Sequence, residues 1–124
     1  MKIMVIDDSS TIRTVICGTL QQLGSVETET ACDGEDALSK VFAFGPDIIL
    51  LAWNMPKLNG LEVLKQFRLK NKKTPVIMVT TEAEKPRVVE AIRAGVNDYV
   101  VKPFTPDSLL KHVRAAYDKL QAAA

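Results

Sequence analysis

Four short strings carry side chains able to do chemistry, or stand where such side chains would be expected. They are Asp7-Asp8, Ala52-Trp53-Asn54, Thr80-Thr81 and Lys102-Pro103. Adjacent carboxylates such as Asp7 and Asp8 are hard oxygen donors suited to Mg2+, an ion that keeps several waters and seldom sits in an all-protein cage. They suit equally well a solvated helix N-terminus, where Asp is favoured by capping and by the helix dipole. Thr80 offers a hydroxyl, although threonine is also an ordinary strand residue. Lys102 offers an ammonium, although a lone lysine after a strand is more often simply solvated. Ala52 offers a methyl group and no chemistry.

Each string closes a short, mainly apolar run. Residues 2–6, 48–52, 76–80 and 98–101 have the length and density of strands buried on both faces. Residues 26–30 alternate weakly and are expected as an edge strand. The segments between them have helical spacing. The first runs from Thr11 through Ile12, Val15, Ile16, Thr19, Leu20 and Leu23 to Gly24. The second, 35–44, points Ala37, Leu38, Val41 and Phe42 inward and stops at Gly45-Pro46. Leu61, Leu64 and Phe67 mark the third. The fourth covers 84–94, with Pro86 in its first turn and Gly95 after it, and the last runs from Pro106 through Leu120. Asp33-Gly34 and Asn59-Gly60 are expected turns. Five alternations of strand and helix imply a parallel sheet covered on both faces, with right-handed crossovers. If that sheet is doubly wound, its strand carboxyl ends share one edge. That edge would gather Asp7-Asp8, Ala52, Thr80-Thr81 and Lys102.

The bulk numbers exclude more than they assign. The 124 residues suffice for one domain with a real core. A net charge of +1 gives no electrostatic case for nucleic acid or a membrane surface. Cys17 and Cys32, with one histidine and no CxxC, argue against structural zinc. As core-like thiols they fit a reducing, cytoplasmic setting. No apolar run reaches transmembrane length, and the first residues lack a signal-peptide pattern. The alanine tail at 122–124 is expected to fray.

Taken together, the four strings at five-strand spacing resemble the response-regulator receiver domain, over essentially the whole chain. Val5-Ile6-Asp7-Asp8-Ser9, Trp53-Asn54-Met55-Pro56, Gly60-Leu61-Glu62, Ala94-Gly95 and Tyr99-Val100-Val101-Lys102-Pro103-Phe104 carry the likeness. Two of these strings look like the single-domain, CheY-like chemotaxis branch. The resemblance implies a flavodoxin-like α/β fold, (βα)5, with strand order 2-1-3-4-5, and one receiver domain over 1–124 without an output domain. It also implies a signalling protein that catalyses its own phosphoryl transfer and dephosphorylation. An aspartate at the end of the third strand takes a phosphoryl group from a phosphohistidine, with Mg2+ and a lysine neutralising charge on the transferring oxygens. Carried over residue by residue, Asp7 and Asp8 are the metal-binding acids and the carbonyl of Asn54 completes the metal site. Lys102 contacts the phosphoryl group and precedes a cis proline. Thr80 and Tyr99 are the switch pair, and the side chains of Asn54 and Glu82 tune dephosphorylation. The implied partners are a CheA-type histidine kinase, a phosphatase, and the flagellar motor switch or another target reached through helix 4, strand 5 and helix 5. Lys85, Arg87, Arg93, Lys111 and Arg114 lie on that side. A monomer is expected.

The departure is Ala52, at the position of the phosphoacceptor. Alanine forms no acyl phosphate, and one fewer carboxylate weakens Mg2+ binding. Either a substitution silenced a working receiver, or the chain is a pseudo-receiver that acts by binding or by dimerising through helices 4 and 5. The other site residues are all present, which favours recent or deliberate loss. Enzyme alternatives on a similar sheet fit less well. Asp7-Asp8-Ser9 is not the Asp-x-Asp of a dehalogenase-type phosphatase, and Ser9-Ser10-Thr11 lacks the glycine of a flavin phosphate loop.

Overall fold

A computed structural model describes residues 1–123, with side chains through 122. Its strands are β1 (Lys2–Ile6), β2 (Glu27–Ala31), β3 (Ile48–Leu51), β4 (Val76–Thr80) and β5 (Asp98–Val101). Its helices are α1 (Ser10–Leu20), α2 (Gly34–Phe44), α3 (Gly60–Lys70), α4 (Lys85–Arg93) and α5 (Pro106–Ala123). All five strands are parallel, in the order β2-β1-β3-β4-β5. This is the flavodoxin-like arrangement expected from the sequence.

Side-chain alternation along the central strands makes two cores. Ile3, Val5, Ile48, Leu50, Ile77 and Val79 face α1 and α5, where Ile16, Leu20, Leu109 and Val113 meet them. Met4, Ile6, Ile49, Leu51, Val76 and Met78 face α2, α3 and α4, against Val41, Leu64, Phe67 and Ala91. Continuous apolar strands are therefore required, because neither face of the sheet meets water. The edge strands β2 and β5 keep partly exposed residues.

Several local expectations are corrected. Asp33-Gly34 and Asn59-Gly60 are helix starts rather than free turns. The Asp33 side chain accepts from the Asp36 amide, and Asn59 with Glu62 closes a capping box. The third strand stops at Leu51, one residue early, and α1 tightens into a single 3-10 turn over Gln21–Leu23 before Gly24. Phe42 is not inward; like Val15 it is 47% exposed. Val15 flanks the stripe formed by Ile16 and Leu20. Phe42 lies on the seam between α2 and α3, its ring 5.7 Å from that of Phe67 and covered by the Lys70 ammonium at 5.4 Å. Cys32 is exposed and so is not a core thiol, whereas half-buried Cys17 packs against the core beneath α1 and α5. Helix α5 continues through Ala123, past the start of the expected fraying, and residue 124 lies outside the described residues. No described helix is long and apolar enough to cross a membrane.

Candidate functional site at the carboxyl edge of the sheet

The sheet brings Asp7, Ala52, Thr80 and Lys102 to one edge because each ends or follows a neighbouring strand. Strand register places Ile6 beside Leu51, so Asp7 and Ala52 come next on adjacent strands. The Ala52 amide donates to the Ile6 carbonyl at 2.9 Å. On the other side, the Lys102 amide donates to the Thr80 carbonyl at 2.8 Å. The Lys102-Pro103 peptide is cis, as the resemblance implies.

Asp7 is the most tightly held group. It is 2% exposed. Its Oδ1 accepts from the Ser9 amide at 2.9 Å, and its Oδ2 accepts from Lys102 Nζ at 2.6 Å. Its carbonyl accepts from Arg13 Nη1 at 2.7 Å. Burial raises the cost of leaving either charge of the Asp7–Lys102 pair alone. Asp8, one residue on, is exposed. The resemblance implies Mg2+ here, and the donor set can be tested against that ion. Two carboxylates and a main-chain carbonyl from Asn54 are hard oxygens, and Mg2+ is often held by one or two carboxylates with waters completing its shell. A carboxylate has about four lone-pair sites, so Asp7 keeps acceptor capacity beyond its two present bonds. The set therefore fits a weak, water-rich site. Among the described residues no three Asp, Glu, His or Cys side chains converge as a fuller cage.

Ala52 is 4% exposed, and the loop after it doubles back tightly. The Gly60 amide donates to the Trp53 carbonyl at 2.7 Å. A Cβ at position 60 would stand 2.0 Å from the Ala52 carbonyl oxygen, so only glycine allows this approach. Lys57 in the same loop adopts a left-handed φ of 69° and reaches Asp33 at 3.6 Å.

The remaining expected residues surround Glu82. The Glu82 amide donates to Thr80 Oγ1 at 3.3 Å, its carboxylate accepts from Asn54 Nδ2 at 3.2 Å, and its carbonyl accepts from the Tyr99 hydroxyl. Thr80 is buried. Tyr99 is half-buried and turned toward this loop. Burial pushes its phenol above the usual value, the Glu82 charge adds to that, and Arg87 opposes it. The expected site residues are thus assembled in two groups. Asp7, Ala52, Thr80 and Lys102 stand at the carboxyl ends of β1, β3, β4 and β5, with Asp8 beside them; Asn54, Glu82 and Tyr99 form the adjoining loop cluster. Two contributors had no site role in the sequence reading: Arg13, and Arg87, whose guanidinium covers the Trp53 ring at 5.5 Å. Their only sequence signal is a cation one turn into the helix that follows a site loop.

Comparison with known proteins agrees with this arrangement. The family model for the response regulator receiver domain matches residues 3–114. The chain is 46% identical over 112 residues to the chemotaxis protein CheY1 of Helicobacter pylori (strain J99), covering 88% of this chain and 90% of that protein. It is 46% identical over 114 residues to a chemotaxis protein CheY homolog of Campylobacter jejuni (strain 81-176), covering 88% and 86%. Among solved structures, Vibrio cholerae chemotaxis protein CheY4 superposes with a TM-score of 0.87 at 38% identity, over 93% of this chain and 97% of that one. A CheY-like receiver protein of Methanospirillum hungatei superposes at 0.94 with 25% identity, over 99% and 98%.

Proposed function

The chain belongs to the response-regulator receiver family, on the CheY-like chemotaxis side of it, and from that premise we propose that it is a phosphorylation switch silenced at one atom set, the side chain of residue 52. The observation that carries this reading is the completeness of everything around Ala52. Asp7, Asp8, Thr80, Tyr99 and Lys102 stand where phosphoryl transfer to residue 52 would need them, and only the nucleophile is missing. That completeness favours a silenced receiver over a pseudo-receiver.

In a counterpart bearing Ala52→Asp, a carboxylate oxygen would attack the phosphorus of a phosphohistidine, forming an O–P bond as the N–P bond breaks. Lys102 would leave Asp7 in part to meet the developing charge on the phosphoryl oxygens. Thr80 would turn its hydroxyl toward the same oxygens. Asn54 and Glu82, joined by a hydrogen bond of 3.2 Å in the loops beside residue 52, would tune hydrolysis. Mg2+ held by Asp7, Asp8 and the Asn54 carbonyl would supply charge neutralisation. With Ala52 the chain has no oxygen to form the acyl phosphate, and its Mg2+ affinity is lowered.

The output is a population shift. The state with Thr80 and Tyr99 inward binds the target better, and phosphorylation favours that state. The target surface is α4, β5 and α5, where Ile92 and Val101 are exposed apolar residues among basic ones. The kinase is of the CheA type, the target is the flagellar motor switch, and a phosphatase resets the signal; the protein works in the cytoplasm as a monomer. Fluorescence anisotropy with a labelled motor-switch protein tests this. The Ala52→Asp form should gain affinity about tenfold on adding a small phosphodonor, the size of an ordinary coupling energy, while this chain shows no gain. A donor-dependent gain in this chain would contradict the reading.

A further inference from the structure

The β4–α4 connection is fastened at Glu82, whose amide, carboxylate and carbonyl each have a partner in the site. The last of these is the Tyr99 hydroxyl, so the switch ring lies inward although residue 52 is alanine. The helix that follows has a second fastening. Arg87, in the first turn of α4, lays its guanidinium on the Trp53 ring, and Trp53 is the buried residue next to Ala52. The Arg87 charge opposes the effect of burial on the Tyr99 phenol. Its ion pair with Glu90 spans 3.7 Å between half-exposed side chains and holds it only weakly. Arg87 therefore joins two elements, the start of α4 and the loop after β3, and α4 follows directly on the connection whose Glu82 carbonyl holds the Tyr99 hydroxyl.

We propose that Arg87 is a positioning residue that latches α4 onto Trp53 and keeps Tyr99 inward without any phosphoryl group, so that the output face of this chain rests in its partner-binding state. The inference rests on the reading above, in which Tyr99 inward is the binding state. It adds that this chain is preset toward that state rather than merely unable to reach it. The bland alternative is a solvated helix arginine, whose removal would leave Tyr99 where it is.

The test is solution 19F NMR on protein labelled with 3-fluorotyrosine. Tyr117→Phe removes the second tyrosine, leaving Tyr99 as the single signal. Exposure of the ring is read from line broadening by a soluble gadolinium chelate. The Ala52→Asp form with beryllofluoride and Mg2+ supplies the inward reference. The latch predicts that this chain is as protected as that reference. Arg87→Ala should raise the outward-to-inward ratio about two- to fivefold, the range that an exposed cation–π contact supports. Arg87→Lys should restore most of the protection. Glu90→Ala, which removes the ion-pair partner but not the stack, should leave Tyr99 protected. A Tyr99 in this chain clearly more exposed than in the inward reference, or an Arg87→Ala protein indistinguishable from its parent, would overturn the latch. Failure of the Ala52→Asp form to take up beryllofluoride, read by its own 19F signal, counts against the silenced-receiver reading instead. The inward reference is then lost, and the comparison of this chain with Arg87→Ala decides the latch.

Discussion

At the scale of single residues the chain is defined by an alanine among carboxylates. Asp7 stands beside Ala52 on the neighbouring strand and is already neutralised by Lys102 at 2.6 Å. A third acid at position 52 would share one ammonium with Asp7 and Asp8 in a nearly water-free position. Crowded carboxylates hold one another's protons and cost stability when ionised. At neutral pH without Mg2+, Ala52→Asp should therefore unfold in urea with stability lower by about 1–2 kcal/mol, roughly one pKa unit of repulsion. Mg2+ should narrow the gap by binding the folded Asp form better. Equal or greater stability of the Asp form without metal would refute this. Gly60 is the complementary case. Its absent Cβ is what allows the chain to pass over the Ala52 carbonyl. Gly60→Ala should cost about 3 kcal/mol or more in urea unfolding, in the range of steric overpacking. A loss below about 1 kcal/mol would show that the loop moves aside easily.

At the scale of elements, caps and loops decide how the site is held. Asp33 and Asn59 begin α2 and α3 through their own side chains, and Lys57 ties the loop after β3 back to Asp33. Tyr99 gives this scale a pH signature. Its phenol holds its proton more tightly folded than unfolded, chiefly through burial and then through Glu82. Its contribution is thus complete below about pH 10 and is lost as pH rises through the folded value. Tyr99→Phe should lose about 1 kcal/mol near neutral pH for the missing hydrogen bond to Glu82. It should then lose less than the parent as pH rises above about 10. Urea midpoints across that range measure both effects, and parallel curves would contradict the assignment. Most strands and helices were legible because apolar runs and helical spacing are local. The Asp33 and Asn59 caps were misread as turns because Asx-Gly serves both purposes. Phe42 was misplaced because a ring on the seam between two helices has the same spacing as one in the core.

At the scale of the molecule, the sheet order came from the family likeness, since periodicity carries no order, while the gathering of four strand ends followed from reading the sheet as doubly wound. The sheet then confirmed the order and put Asp7, Ala52, Thr80 and Lys102 on one edge. Arg87 was visible only as one of several basic residues on α4 and α5; its place over Trp53 depends on a contact between segments far apart in sequence. The whole fold supplies a rigid platform, two apolar cores pinning five strands, on which one polar edge can change state. If that edge is intact, a single side chain should separate a receiver that takes up no phosphoryl group from one that does. The most direct measurement is intact-mass analysis of this chain and of Ala52→Asp after incubation with Mg2+ and a small phosphodonor. The expected result is one added phosphoryl group on the Asp form alone. No addition to either form would mean the site has lost competence beyond residue 52, and an addition to this chain would place the chemistry on another residue.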